Sequence, residues 1–316
     1  MLHRRILKHQ LRNFVIIMLA VLCGALALRF HALAKIPTHR PKQQRAEISP
    51  NAYRQTNLVS DVPGAAQILD PSLVNPWGVT FSATSPFWVS NNGTGIATLY
   101  NGDTASGPLT KNTLTVSIPG GGNTGVVFNG SSDFVITDGS GTGAARFIFA
   151  TEAGTIAAWG SGTTAIQKVS TANAVYKGLA IGADGTFNFL YAANFNAGRI
   201  DVFGKLFTTV GFGPGNFTDP GLPAGYAPFN IQNLGGKLYV TYALQDGAKH
   251  DDVPGAGHGF VDVYDAVGTF KQRLISGGAL NSPWGLALAP ASFGPFGNAL
   301  LVGNFGDGAT ASAEET

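Results

Sequence analysis

The chain has 316 residues, enough for one large all-β domain or two ordinary ones. Only 12% of them are charged, while Gly numbers 43 and Pro 17. This mixture excludes a helical bundle and favours many short strands joined by turns. The formal charge is +2, with the basic excess concentrated at the N-terminus, so no nucleic-acid partner is expected.

Residues 1–34 read as a secretory signal peptide. Arg4, Arg5, Lys8 and Arg12 precede an uncharged run from Phe14 to Leu28, and Ala32-Leu33-Ala34 supplies small residues at A-x-A spacing. The run is shorter than a spanning helix needs, which favours cleavage. The alternative is an N-terminal anchor with Arg29 at its outer end. The expected location is therefore exported (periplasmic, secreted or cell-surface), with no stable membrane insertion unless this segment is retained. Cleavage would remove five basic residues and turn +2 into −3. It would also remove Cys23, the only cysteine. Any metal would then be held by oxygen or histidine.

Residues 35–52 are basic, contain proline and are nearly devoid of large apolar side chains, so they read as a disordered linker. From residue 53 the sequence repeats itself. Asn75-Pro76-Trp77-Gly78 returns as Ser282-Pro283-Trp284-Gly285, and each copy leads to an apolar strand ending in Asn, Phe87–Asn92 and Ala299–Asn304. Related copies run from Gly178 to Asn194 and from Asn230 to Tyr242. A divergent copy runs from Gly125 to a second strand at Phe134–Asp138. Third strands are expected at Ile96–Tyr100, Arg199–Phe203 and Phe260–Tyr264, where apolar and polar residues alternate in part. A module of three or four strands returning about every fifty residues is the signature of a β-propeller. A β-sandwich pair does not explain such a steady period.

The fifth copy leads through Leu300–Gly308 into the small, polar residues 309–316, which read as an aberrant tail rather than a third strand. Residues 53–308 are thus expected to form an incomplete propeller of about four and a half blades, with Tyr53–Val59 as an early strand lacking its closure partner. Such a chain is expected to aggregate or oligomerise.

The ordered motifs Asn57–Asp61, Asn75–Gly78, Trp88–Gly95 and Leu190–Phe195 resemble an uncharacterised bacterial family of exported β-propeller proteins, some with a C-terminal PEP-type sorting signal. The resemblance covers Tyr53 to Gly308 and implies six blades, against which this chain is C-terminally truncated. It extends more distantly to NHL-repeat and gluconolactonase-like propellers, some of which bind calcium in the channel and hydrolyse lactones or esters.

No H-E-x-x-H, G-x-S-x-G, Walker or EF-hand signature is present. Gly120–Gly125 fits G-x-G-x-x-G but leads into a strand, not the helix that dinucleotide binding needs. Asn92, Asp138, Asn194 and Asn304 follow successive second strands. Repeat symmetry would ring them around the channel as ligands for Ca²⁺, the one candidate cofactor. The same residues also suit turns, where Asn and Asp bond their own backbone. The insertion at 246–258 carries His250, Asp251 and His258, candidates for a general base or a metal ligand. Two functions remain open: a scaffold binding a protein or small molecule, and a Ca²⁺-dependent lactonase or esterase. The scaffold is favoured because the ring is dominated by amides, without a convergent acid/base set.

Overall fold

A computed structural model describes residues 55–102 and 107–313. The segments read as signal and linker lie outside the described residues. The fold is all-β, with five propeller blades.

A short parallel pair, β1 (Val59–Ser60) and β2 (Ile68–Leu69), precedes the blades. Blade 1 holds β3 (Pro76–Thr80), β4 (Phe87–Asn91), β5 (Ile96–Asn101) and β6 (Thr110–Ser117) in sequence order. Blade 2 starts with β7 (Asn123–Phe128), is interrupted by the hairpin β8 (Val135–Asp138) and β9 (Gly141–Ala144), and continues with β10 (Phe147–Thr151), β11 (Thr155–Trp159) and β12 (Ile166–Ser170). Blade 3 is β13 (Tyr176–Ala183), β14 (Asn188–Asn194) and β15 (Arg199–Phe203). Blade 4 is β16 (Tyr226–Leu234), β17 (Lys237–Leu244), β18 (Phe260–Tyr264) and β19 (Phe270–Ser276). Blade 5 is β20 (Pro283–Leu288), β21 (Leu300–Asn304) and β22 (Thr310–Ala313).

Two expectations are corrected here. The second strand of blade 2 is β10, not Phe134–Asp138, which opens the inserted hairpin. The reason is burial. Every residue of Phe147–Thr151 is buried, because blades 1 and 3 cover both of its faces, whereas Val135 and Thr137 in the hairpin are exposed. The residues read as an aberrant tail also form a strand: Thr310–Ala313 pairs antiparallel with Leu300–Gly303. Backbone hydrogen bonding to an existing edge needs no large side chain.

Apolar cores fill the spaces between successive blades. Trp88, Leu99 and Phe149 pack between blades 1 and 2, and Ile148, Tyr176 and Leu190 between 2 and 3. Tyr191, Val240 and Tyr264 pack between 3 and 4, and Val261, Leu286 and Val302 between 4 and 5. The repeat glycine marks where inner strands cross. A Cβ on Gly125 would lie 2.4 Å from Leu179 N, and one on Gly178 only 2.2 Å from Asn230 Oδ1. Gly285 has no such neighbour in a following blade; its nearest atoms, 3.7 Å away, belong to Gly303 of its own sheet. Among the described residues blades 5 and 1 share no comparable core, and Val79 and Leu288 on their inner strands, with Phe81 just after β3, are exposed. Instead, residues leading into blade 1 cover its outer face. The fully buried Asp70 accepts hydrogen bonds from Tyr100 Oη at 2.6 Å and Lys111 Nζ at 2.7 Å.

Candidate functional site

The residue before each repeat glycine, or its Asn230 counterpart, reaches the axis at one end of the disc. In blade order these are Trp77, Thr124, Lys177, Phe229 and Trp284. Three are aromatic and pack together, with Trp77 and Trp284 ring centroids 5.5 Å apart and Trp77 and Phe229 5.9 Å apart. Phe305 joins them 4.7 Å from Trp77. Beneath this cluster runs a channel of about 300 Å³ lined by the inner strands, with Asn230 and Trp284 in its wall.

Lys177 breaks the aromatic pattern. It is 2% exposed, its Nζ lies 5.4 Å from the Trp77 ring centroid, and its carbonyl accepts the Trp284 indole N–H at 2.8 Å. A buried ammonium needs counter-charge, and two carboxylates supply it. Lys177 Nζ donates to Glu152 Oε1, and also to Asp251 Oδ1 at 3.1 Å. Glu152 stands in the turn after β10, and its second oxygen accepts Asn92 Nδ2 at 2.9 Å. Asp251 comes from the insertion between β17 and β18. There His250 Nδ1 meets its Oδ1 at 2.9 Å. Burial alone would raise the Asp251 carboxyl, but the hydrogen bond from His250 and the nearby Lys177 ammonium outweigh it and hold it below the usual carboxylate range. Residues from blades 1 to 4 therefore converge on one lysine.

Glu152, His250 and Asp251 each offer a ligand atom, all within 4.8 Å of one another. A His with two carboxylates suits a transition ion better than Ca²⁺, which prefers oxygen alone. Lys177 already lies against both carboxylates, so such an ion would have to displace its ammonium.

The residues expected around the channel are engaged separately. Strand register aligns Asn91, Thr151, Asn194, Tyr242 and Asn304, so Asn92 stands one position further on. Asn194 Nδ2 donates to Asp201 Oδ2 at 2.7 Å, and Asn304 Nδ2 to Ala279 O at 2.8 Å. Asp138 caps the inserted hairpin, and hydrogen bonds from Ser140 hold its carboxyl below the ordinary range. Of these four, Asn92 alone touches the Lys177 cluster. His250 and Asp251 belong to it, while His258 Nδ1 instead meets Val253 O at 2.9 Å. Glu152 and Lys177 are the partners that sequence reasoning missed. Their signal was a charged residue at 177 where three of the other four copies carry an aromatic.

The blades and their axial cluster define a β-propeller with a polar site at one end of its channel. The chain is 32% identical over 276 residues to uncharacterised protein L690 of Acanthamoeba polyphaga mimivirus, covering 81% of this chain and 70% of that protein. It is likewise 32% identical over 266 residues to R648 of the same virus, covering 79% of this chain and 64% of that protein. The chain belongs to the family of these proteins. These relatives are viral, which corrects the expectation of a bacterial family. No family model matches. Among solved structures, virginiamycin B lyase from Staphylococcus aureus in complex with quinupristin aligns with a TM-score of 0.46 and 13% identity, over 76% of this chain and 66% of that one. A putative gluconolactonase aligns with a TM-score of 0.41 and 16% identity, over 60% and 62%. Likeness at this level is no guide to chemistry.

Proposed function

We propose that this chain is a binding propeller that presents its axial mouth to a cation-bearing ligand, a small molecule or a protein segment, and is not a hydrolase. The observation that carries this reading is the placement of Lys177 between Glu152 and Asp251. The carboxylates that would serve as acid, base or metal ligands already neutralise a fixed cation. His250 faces Asp251, not a hydroxyl that it could activate. Around the mouth, Glu152, Asp246, Asp251 and Asp252 outnumber Lys177 and Lys249, so the local charge favours a positive partner.

The alternative, a metal-assisted lactonase or esterase, is favoured by one observation: the three ligand atoms of Glu152, His250 and Asp251 lie close enough to share an ion. Titration with Ca²⁺, Zn²⁺ and Mn²⁺ followed by melting, with lactone and aryl-ester assays alongside, separates the two. The binding reading expects an unchanged Tm and hydrolysis at the buffer rate. Metal-dependent turnover that disappears in His250→Ala overturns it.

A further inference from the structure

The third strands of blades 1, 3 and 4 carry a polar residue at one equivalent position. Strand register aligns Thr98, Asp201 and Asp262, each opposite the residue two before the axial end of its second strand. In blade 1 Asn91 Nδ2 donates to Thr98 Oγ1 at 2.9 Å. In blade 3 Asn194 Nδ2 donates to Asp201 Oδ2 at 2.7 Å, and Arg199 Nε holds the other oxygen. Blade 4 has Tyr242 in place of that asparagine, and its hydroxyl bonds Tyr264 Oη at 2.7 Å instead. Asp262 is fully buried, yet its Oδ1 has no hydrogen-bond partner among the described residues, and its Oδ2 accepts a long bond from Tyr264 Oη at 3.3 Å. The neighbouring cation is spent elsewhere. Arg273 Nε lies 3.6 Å from Asp262 Oδ1, beyond hydrogen-bond reach, while its guanidinium donates through Nε at 2.7 Å and through Nη2 to Asp219 Oδ2. The Asp219 side chain is 4% exposed and stands in the segment between β15 and β16, residues 204–225. Two buried carboxylates thus share one guanidinium, and the site is one positive charge short.

We infer that residues 204–225 form a strap that a proton on Asp262 holds closed across the seam of blades 3 and 4. In the closed form the protonated Asp262 donates to Asp219, and Arg273 grips Asp219. When the proton leaves to solvent, Asp262 takes Arg273, Asp219 swings out, and the strap opens over Phe189, Tyr191 and Tyr264. The strap is lightly held. Residues 211–222 make one backbone hydrogen bond to the blades among the described residues, from Phe217 N to Gly268 O at 2.7 Å. The rest is ring contact, Phe212 on Phe189 at 5.0 Å and Phe217 on Tyr191 and Tyr264 at 5.7 and 5.5 Å. A segment with so few bonds can open while the blades stay folded. The groups facing Asp262 are Asp219 from the strap, Arg273 from β19, Tyr264 from its own strand and Tyr242 from β17. Blade 3 adds apolar side chains such as Ala193 and Ile200, and Tyr191, whose hydroxyl donates to Ala266 O. Burial and Asp219 push the Asp262 carboxyl up to about 7, so the closed form binds the proton more tightly than the open one, and opening grows as pH rises from about 4 to 7. Nothing in this inference depends on the Lys177 cluster, so either can fail alone.

The test is hydrogen exchange on the full chain at pH 5 and pH 8, with exchange times scaled to the intrinsic amide rates. A peptide spanning Phe217 should lose protection by about tenfold or more at pH 8, while peptides from β16, β17 and β18 keep theirs. Asp262→Asn, which is neutral at both values, should keep the strap protected at both. Melting curves establish that the variant folds. Three outcomes overturn the inference. The first is equal protection of the Phe217 peptide at the two pH values. The second is a loss of the same size in Asp262→Asn. The third is a loss shared equally by β16, β17 and β18, which would mean that blade 4 loosens as a whole and the strap does not open alone.

Discussion

Replacing Lys177 by Met tests the axial cluster most sharply, because it removes one charge and keeps the apolar stem against Trp77. The change leaves Glu152 and Asp251 as like charges without their shared cation. Breaking a fully buried pair costs about 3–5 kcal/mol. The two carboxylates here differ in exposure, with side chains 19% exposed in Glu152 and 67% in Asp251, so solvent screens much of the second interaction. The expected loss is therefore about 2–3 kcal/mol, or roughly 5–10 °C in Tm for a domain of this size. Scanning calorimetry measures it directly. Adding Glu152→Gln to the Lys177→Met chain should restore more than half of the loss, since the stranded charge is then gone. With the lysine removed, Glu152, His250 and Asp251 are free to take an ion, so Zn²⁺ or Mn²⁺ should raise the Tm of the single variant more than that of the wild type. A Lys177→Met chain that melts within about 1 °C of wild type would refute the reasoning, because the ion pairs would then contribute nothing.

Asp262 gives a pH-dependent prediction. Burial, and then the neighbouring Asp219 carboxylate, push it up to about 7. A carboxyl raised in the folded state is not destabilising below its unfolded value near 4, and stability falls as pH rises from there through about 7. Asp262→Asn should therefore stabilise by roughly 2–4 kcal/mol at pH 8 and change little at pH 4, as read by urea unfolding at both values. Gly125→Ala should cost about 1–3 kcal/mol, because the new Cβ meets Leu179 N at 2.4 Å, while Gly285→Ala, with its nearest atoms at 3.7 Å, should cost almost nothing in the same assay. Exposed Val79, Phe81 and Leu288 should make the chain self-associate, and light scattering after size-exclusion should show Phe81→Ser shifting it toward monomer.

Much of the fold was legible because a propeller repeats. Trp77-Gly78 and Trp284-Gly285 marked inner strands, and the alternating third strands at Ile96, Arg199 and Phe260 fell where the structure has them. Blade 2 was misread because Phe134–Asp138 carries the same apolar run as a second strand. Only the burial of Phe147–Thr151 between two blades distinguishes the strand from the insertion. The same resemblance conceals Glu152, which stands after the true second strand. Lys177 was hidden differently: Lys177-Gly178-Leu179 reads as a strand start, and sequence alone does not show which residues before the repeat glycine meet at the axis. His250 and Asp251 were legible as loop chemistry, but the ammonium they share the site with lies 74 positions from Asp251.

The central claim, that an acidic axial mouth binds a cation-bearing ligand, is tested most directly by fluorescence anisotropy with a dye-labelled tetra-arginine peptide. The account predicts saturable binding that weakens as salt rises and weakens further in Asp251→Asn, which leaves Lys177 paired with Glu152. Absence of binding at low salt, or binding indifferent to Asp251→Asn, would contradict it.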